Sequence, residues 1–335
     1  MALSADLQPL YRVEFDAAEL TQEHPPVWFS ARKRAVYELC CPPERPPRGT
    51  IVVSRWSETH LPERYDPTSP LGIEARRGAF DYARRLPDPA VEWHLNFAAS
   101  ELFCAYSGGL VAQDEMQVTE HPALGSVREA LLARGLSTTV NDGRASSPIL
   151  VRGVERRCSI ATDPNAEEGR PEGLYGNAFD RAPLEAVLRA VRVLDPPTAS
   201  NILAIEAPTG GYGTYTAEQI RGILRTAHGG FLAARAESRA ADPAAAVAVH
   251  TGFWGCGAYG GNRVLMALLQ LVAARLAGLD LLVFHAFDAA GLERFREAEA
   301  TLERLAPEEG GPIPMDDLID RIADLGFAWG VSDGN

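Results

Sequence analysis

The stretch VHTGFWGCGAYGGNRVLMALLQ, residues 249–270, leaves an apolar run, crosses five glycines and enters a second apolar run with helical spacing. Gly255, Gly257 and Gly260 spell G-x-G-x-x-G, a turn whose backbone can approach a pyrophosphate while the following helix offers its N-terminal dipole. Asp280 follows Gly260 at the distance where a dinucleotide fold places its ribose-binding acid. It stands before the next apolar run, DLLVFHA, and not at its end, and the turn itself comes late in the chain. From these residues alone, a nicotinamide or flavin site and a ligand-free strand–helix turn both stay open.

Around this stretch, apolar runs and helical patterns alternate. Strands are expected at 91–98, 148–152, 201–206, 245–250 and 280–286, with helices near 127–134, 182–193, 217–236, 263–277, 289–305 and 315–325. That order predicts an α/β fold whose sheet is largely parallel and covered by helices on both faces. Thr216-Ala-Glu-Gln219 reads as a capping box at one helix start. Gly278 reads as the stop of the 263–277 helix. Residues 1–90 hold proline clusters and two short possible helices, at 30–39 and 73–85, and 161–173 reads as a solvated loop. The expected division is an accessory region, 1–90, packed on a core of residues 91–335.

The 335 residues carry 32 Lys and Arg against 45 Asp and Glu, a net charge of −13, with no basic block, which argues against a nucleic-acid duplex as partner. Cys40, Cys41, Cys104, Cys158 and Cys256 form no C-x-x-C pair, and no Asp, Glu, His or Cys spacing suggests a metal site. The opening MALSADLQPLYRVEFDAAEL is charged throughout, so no signal peptide and a cytoplasmic location are expected. The most apolar helix candidate, 263–277, is too short for a bilayer, so no membrane partner is expected.

TGFWGCGAYGG closely resembles the phosphate-binding stretch of the poly(ADP-ribose) glycohydrolase family, T-G-N-W-G-C-G-A-F-G-G. The core Trp254-Gly255-Cys256-Gly257-Ala258 carries the resemblance. LAIEA, IRGILRTAHGGFLAA and LLQLVAARLAGLDLLVFHAF resemble the family's neighbouring elements in register, over roughly residues 90–305. The resemblance implies a macrodomain-like three-layer α/β/α sandwich binding ADP-ribose, with an N-terminal mostly helical or irregular extension.

The family also has a glycine triplet followed by Gln-Glu-Glu. Here Asn96 lies at a strand end, Ser107-Gly108-Gly109 stands for the glycines and Gln113-Asp114-Glu115 for the acids. The resemblance implies that Asn96, Ser107, Gly108 and Gly109 contact ADP-ribose. Two adjacent acids at a helix start are also ordinary first-turn residues. The resemblance implies that Glu115 protonates the leaving ribose hydroxyl and then activates water, that Asp114 binds ribose hydroxyls and that Gln113 orients the pair. It places the diphosphate on Gly252, Phe253, Trp254, Gly255, Cys256, Gly257, Ala258, Tyr259 and Gly260. Tyr175 in GLYGNAF stands for a tyrosine near the adenosine half, and Phe287 for a ribose-packing phenylalanine one position out of register. His250 and His285 end strands and read as structural histidines.

Three departures mark this chain: the shorter glycine loop, Asp114 in place of glutamate and Phe253 in place of asparagine. The expected activity is hydrolysis of a glycosidic bond to ADP-ribose in a polymer or a mono-ADP-ribosyl conjugate, with no cofactor. The alternatives are a catalytically inactive ADP-ribose reader and an NAD-linked oxidoreductase.

Overall fold

The computed structural model describes residues 7–143, 145–307, 311–332 and 334; Met1–Asp6, the start of the stretch read for a leader, lie outside them. The first half contains β1 (Pro9–Asp16), α1 (Ala17–Glu23), α2 (Ala31–Cys40), β2 (Thr50–Trp56), β3 (Arg64–Tyr65), β4 (Gly72–Arg76), β5 (Ala90–Ala98), α3 (Gln113–Glu120), α4 (Ala123–Ala133) and β6 (Ile149–Ile160). The second half contains α5 (Ala178–Arg181), α6 (Leu184–Ala190), β7 (Val191–Glu206), α7 (Ala217–Ala241), β8 (Ala246–Gly252), α8 (Arg263–Ala277), β9 (Leu281–His285), α9 (Ala289–Leu305), β10 (Ile313–Pro314) and α10 (Met315–Asp324).

Eight strands form one sheet in the order β1-β2-β6-β7-β5-β8-β9-β4, and β10 pairs with β3 separately. From β7 across to β4 every pairing is parallel; β1–β2, β2–β6 and β6–β7 are antiparallel. Side-chain alternation divides the two faces. Leu203 and Ile205 of β7 join one core with α7, α8, α9 and α10, while Ile202 and Ala204 join the other with α1 and α4. The result is the three-layer α/β/α sandwich.

The helix after the glycine stretch shows how the sequence drives the fold. Every residue of α8 except Arg263 and Arg275 is buried, because the helix lies between α7 and α9 on the sheet. Its buried leucines contribute about 1.5–3 kcal/mol each. Asn262 caps its start by accepting from Val264 N and Leu265 N at 3.1 Å, and Gly278, at φ 65°, ends it. The capping box at Thr216 forms as expected, with Gln219 N donating to Thr216 Oγ1 at 3.2 Å and Thr216 N to Gln219 Oε1 at 3.0 Å.

Two expectations are corrected. The 73–85 segment is not a helix: Gly72–Arg76 pairs in parallel with the apolar β9, and pairing at an open sheet edge overrides a weak local preference. The helix expected over 182–193 stops at Ala190, and Val191 begins a long ribbon in which β7 pairs antiparallel with β6. Pro196 and Pro197 sit where that register shifts, between Arg156 and Cys158, which is how prolines fit inside a strand. Residues 1–90 contribute β1, β2 and β4 to the main sheet beside the expected helix near residue 31. Among the described residues, no helix is long and apolar enough to cross a membrane.

Candidate active site

The parallel strands β5, β7 and β8 end side by side, and the loops leaving them enclose a cleft of about 280 Å³. Open α/β sheets bind ligands at the carboxyl ends of their strands. From β5 and the start of α3 come Phe97, Ala98, Ala99, Leu110, Ala112, Gln113, Asp114 and Glu115. Ala207 follows β7, and Phe253, Trp254, Gly255, Gly257, Ala258 and Tyr259 follow β8; Tyr175 closes one side. The acids and the glycine loop, well over a hundred residues apart in the chain, therefore face one cavity.

The glycine loop is held from inside. Trp254 is fully buried and its Nε1 donates to Ile205 O at 3.1 Å. Gly255 adopts φ 75°, and any Cβ there would lie 2.5 Å from Ala207 Cβ. The positive φ and the close approach both require glycine. Among the described residues, the backbone N–H groups of Gly255, Gly257, Ala258 and Tyr259 take no acceptor, while Cys256 N, Gly260 N and Gly261 N bond within the loop. These free donors can hold an anion.

The acids are buried at the start of α3, each close to 5% exposed. Glu115 Oε2 accepts from Ala112 N at 3.0 Å, and Asp114 Oδ1 accepts from Asn96 Nδ2 at 2.9 Å. Gln113 ties the helix to β5: its Oε1 accepts from Phe97 N at 2.8 Å and its Nε2 donates to Leu95 O at 3.0 Å. Burial, with Glu115 next to it, pushes Asp114 up to about 7. Burial likewise raises Glu115, opposed by the Ala112 N–H and the Lys33 ammonium. Two such acids favour keeping a proton between them at neutral pH, which suits a general acid.

Several residues singled out in the sequence do not line the cleft. Asn96 sits behind Asp114. Ser107, Gly108 and Gly109 belong to the loop before α3: Ser107 O accepts from Phe29 N and Ser30 N, and Gly109 packs on Asp180 so tightly that a Cβ would lie 2.5 Å from its Cγ. Gly252 abuts His285 O, and Gly260 O accepts from Gly330 N at 2.8 Å. Cys256 Sγ points to Trp254 O, its thiol pushed up to about 12 by burial. Phe287, 69% exposed at φ 66°, is not among the cleft-lining residues, and its carbonyl accepts from Gly78 N. Asp280 accepts from Val247 N at the start of β8, the end opposite the cleft.

Sequence reading missed Lys33 and Glu206. Lys33 is fully buried, its Nζ donating to Tyr106 O at 2.8 Å beside the Ser107 loop. Burial lowers it to about 8, opposed by Glu115, Asp114 and Asp180. Within Ala-Arg-Lys-Arg-Ala it looks like one more exposed helix cation. Glu206 closes β7 and accepts from Tyr259 OH at 3.3 Å, a pairing with no local signature.

Residues 146–294 match the family model described as poly(ADP-ribose) glycohydrolase (PARG), macro domain fold. Over these residues the chain is similar to this family. The matched residues run from β6 into α9 and contain the glycine loop, while the acids of α3 precede them. Among solved structures, the PARG of Thermomonospora curvata shares 18% identity over 86% of this chain and 85% of its own, with a TM-score of 0.41. The PARG of Deinococcus radiodurans, in complex with ADP-ribose, shares 17% over 87% of this chain and 95% of its own, at 0.42.

Proposed function

We propose that this chain hydrolyses a glycosidic bond to ADP-ribose, in a polymer or in a mono-ADP-ribosyl conjugate. One observation carries the reading: the buried Asp114–Glu115 pair and the unpartnered N–H groups of the glycine loop line the same cleft. The loop supplies donors for a diphosphate without needing net positive charge, in keeping with a chain of net charge −13. Tyr175, 42% exposed at the rim, offers a ring face to the nucleoside half.

In the proposed reaction the carboxyl of Glu115 gives its proton to the departing ribose oxygen as the C–O bond breaks. Positive charge then develops on the ADP-ribose anomeric carbon and its ring oxygen. Glu115, now a carboxylate, takes a proton from the water that attacks this carbon, and the next cycle begins with the acid restored. Asp114 accepts hydrogen bonds from ribose hydroxyls, and Gln113, bonded to β5 on both amide atoms, keeps α3 from rotating.

The test is incubation of wild type and Glu115→Gln with poly- and site-specifically mono-ADP-ribosylated substrates, with released ADP-ribose followed by mass spectrometry and ADP-ribose binding by calorimetry. Loss of release with binding retained is expected. An active Glu115→Gln overturns the mechanism, and binding with no turnover by wild type makes the protein a reader.

A further inference from the structure

Residues 77–89 cross the α3 side of the sheet without regular structure, and three side chains of the sheet grip them at two points. At one end Glu92 Oε1 accepts from Arg85 N at 2.7 Å and Leu86 N at 2.8 Å. At the other, His285 Nδ1 lies 3.0 Å from Ala79 O. His250 joins the grips, its Nε2 2.9 Å from Glu92 Oε2 and its Nδ1 3.2 Å from His285 Nε2.

The hydrogens of this chain can be counted. Its two ends, a carboxylate oxygen and a carbonyl oxygen, only accept. Three contacts between them need three hydrogens, and two neutral imidazoles carry two. Without a third, one contact sets lone pair against lone pair. We propose that Glu92, His250 and His285 form a relay that carries this extra proton, clamps residues 77–89 at both ends and thereby seats Tyr82 as a positioning residue for Asp114; the last step rests on the proposed function.

The surroundings fit one extra proton held within the relay beside an ionised Glu92. Glu92 is held below the usual carboxylate range, the His250 bond and the two backbone N–H groups outweighing burial. His94 of β5 stacks on His250 at 4.3 Å with both ring nitrogens buried and unpartnered, and burial and His250 keep it uncharged. Burial and His250 hold His285 down to about 4, with Asp81 and Arg85 of the 77–89 segment also facing it. After α3, His121 is held to about 3 by burial and Arg156 of β6, while Glu120 of α3 pairs with that arginine at 2.8 Å.

Between the two grips lies Tyr82, at φ 55°, a conformation that a tyrosine keeps only when its surroundings impose it. Its ring stacks on His94 at 4.4 Å, and the Arg156 guanidinium covers it at 4.2 Å. Its hydroxyl accepts from Gln117 Nε2 at 3.2 Å, which fixes the amide so that Gln117 Oε1 accepts from Asn96 Nδ2 at 2.9 Å. The same Asn96 amide donates to Asp114 Oδ1. The clamp thus reaches the acid through Tyr82, Gln117 and Asn96.

Glu92→Gln is the discriminating variant. Its carbonyl can still accept from Arg85 N and Leu86 N while its NH₂ donates to His250 Nε2, so neutral rings satisfy all three contacts. Histidine ¹⁵N NMR of the wild-type chain at pH 7 is expected to show one buried ring protonated on both nitrogens, absent in Glu92→Gln. The kcat for ADP-ribose release by wild type is expected to fall as rising pH removes both the relay proton and the Glu115 proton, and that of Glu92→Gln to keep only the fall that Glu115 causes. Tyr82→Phe, which keeps the ring, is expected to lower kcat about tenfold with ADP-ribose affinity unchanged. No doubly protonated buried ring in wild type, or a Tyr82→Phe chain with wild-type kcat, overturns the proposal. Should wild type release no ADP-ribose from any conjugate, the proposed function fails, and the NMR comparison still decides the relay.

Discussion

Asp114→Asn is expected to stabilise the protein at neutral and alkaline pH while impairing it as an enzyme. The carboxyl of Asp114 is pushed from its ordinary 3.8 to about 7, first by burial and then by Glu115. The folded chain therefore holds a proton that the unfolded chain has already released between those two pH values. Stability is fully present below the lower value and is lost as pH rises toward the upper one. At about 1.4 kcal/mol for each pH unit, the complete loss amounts to about 4 kcal/mol, an upper figure because the two neighbouring acids share it. Asparagine keeps the acceptor for Asn96 Nδ2 and never ionises. Urea denaturation of both chains at pH 4, 5, 6, 7 and 8 is the assay. The curves should coincide near pH 4 and separate by about 2–4 kcal/mol at pH 8, the variant on top. Parallel stabilities across this range would refute a buried, proton-holding Asp114.

Gly255→Ala should destabilise the chain by about 2 kcal/mol in urea and weaken ADP-ribose binding, because a Cβ meets Ala207 at a positive φ. Lys33→Met removes the cation that opposes the rise of both acids, so the alkaline limb of the rate profile, where Glu115 loses its proton, should move to higher pH, and Lys33→Arg should restore it. Thr216→Ala should cost about 1 kcal/mol through the lost cap of α7 with release of ADP-ribose unchanged. Phe287→Gly, at an exposed left-handed position outside the cleft, should leave ADP-ribose affinity at the wild-type value in calorimetry.

What could be read from the sequence was whatever is encoded locally. The glycine turn, the cap at Thr216 and the apolar wrap of α8 each act within a few residues, and the structure contains all three. The pairing of Asp114–Glu115 with the loop after β8 was legible only through resemblance, because the chain brings them together by inserting β5 between β7 and β8. β4 escaped because Gly-Ile-Glu-Ala-Arg owes its conformation to β9 and not to its own preferences. Lys33 and Tyr82 escaped for a related reason: a buried lysine and a tyrosine at positive φ run against type, and only their distant partners account for them.

The two borders of the main sheet are β1 and β4, both supplied by the first 76 residues. The early chain therefore hems the sheet on opposite sides, one strand antiparallel and one parallel. Without it, β9, whose Leu-Leu-Val-Phe-His is almost wholly buried, would present an unpaired apolar edge, and β6 would lose its partner on the other side. Such edges recruit strands from neighbouring molecules. Shortening the chain to residues 91–335 should thus yield self-associating material before any question of catalysis arises.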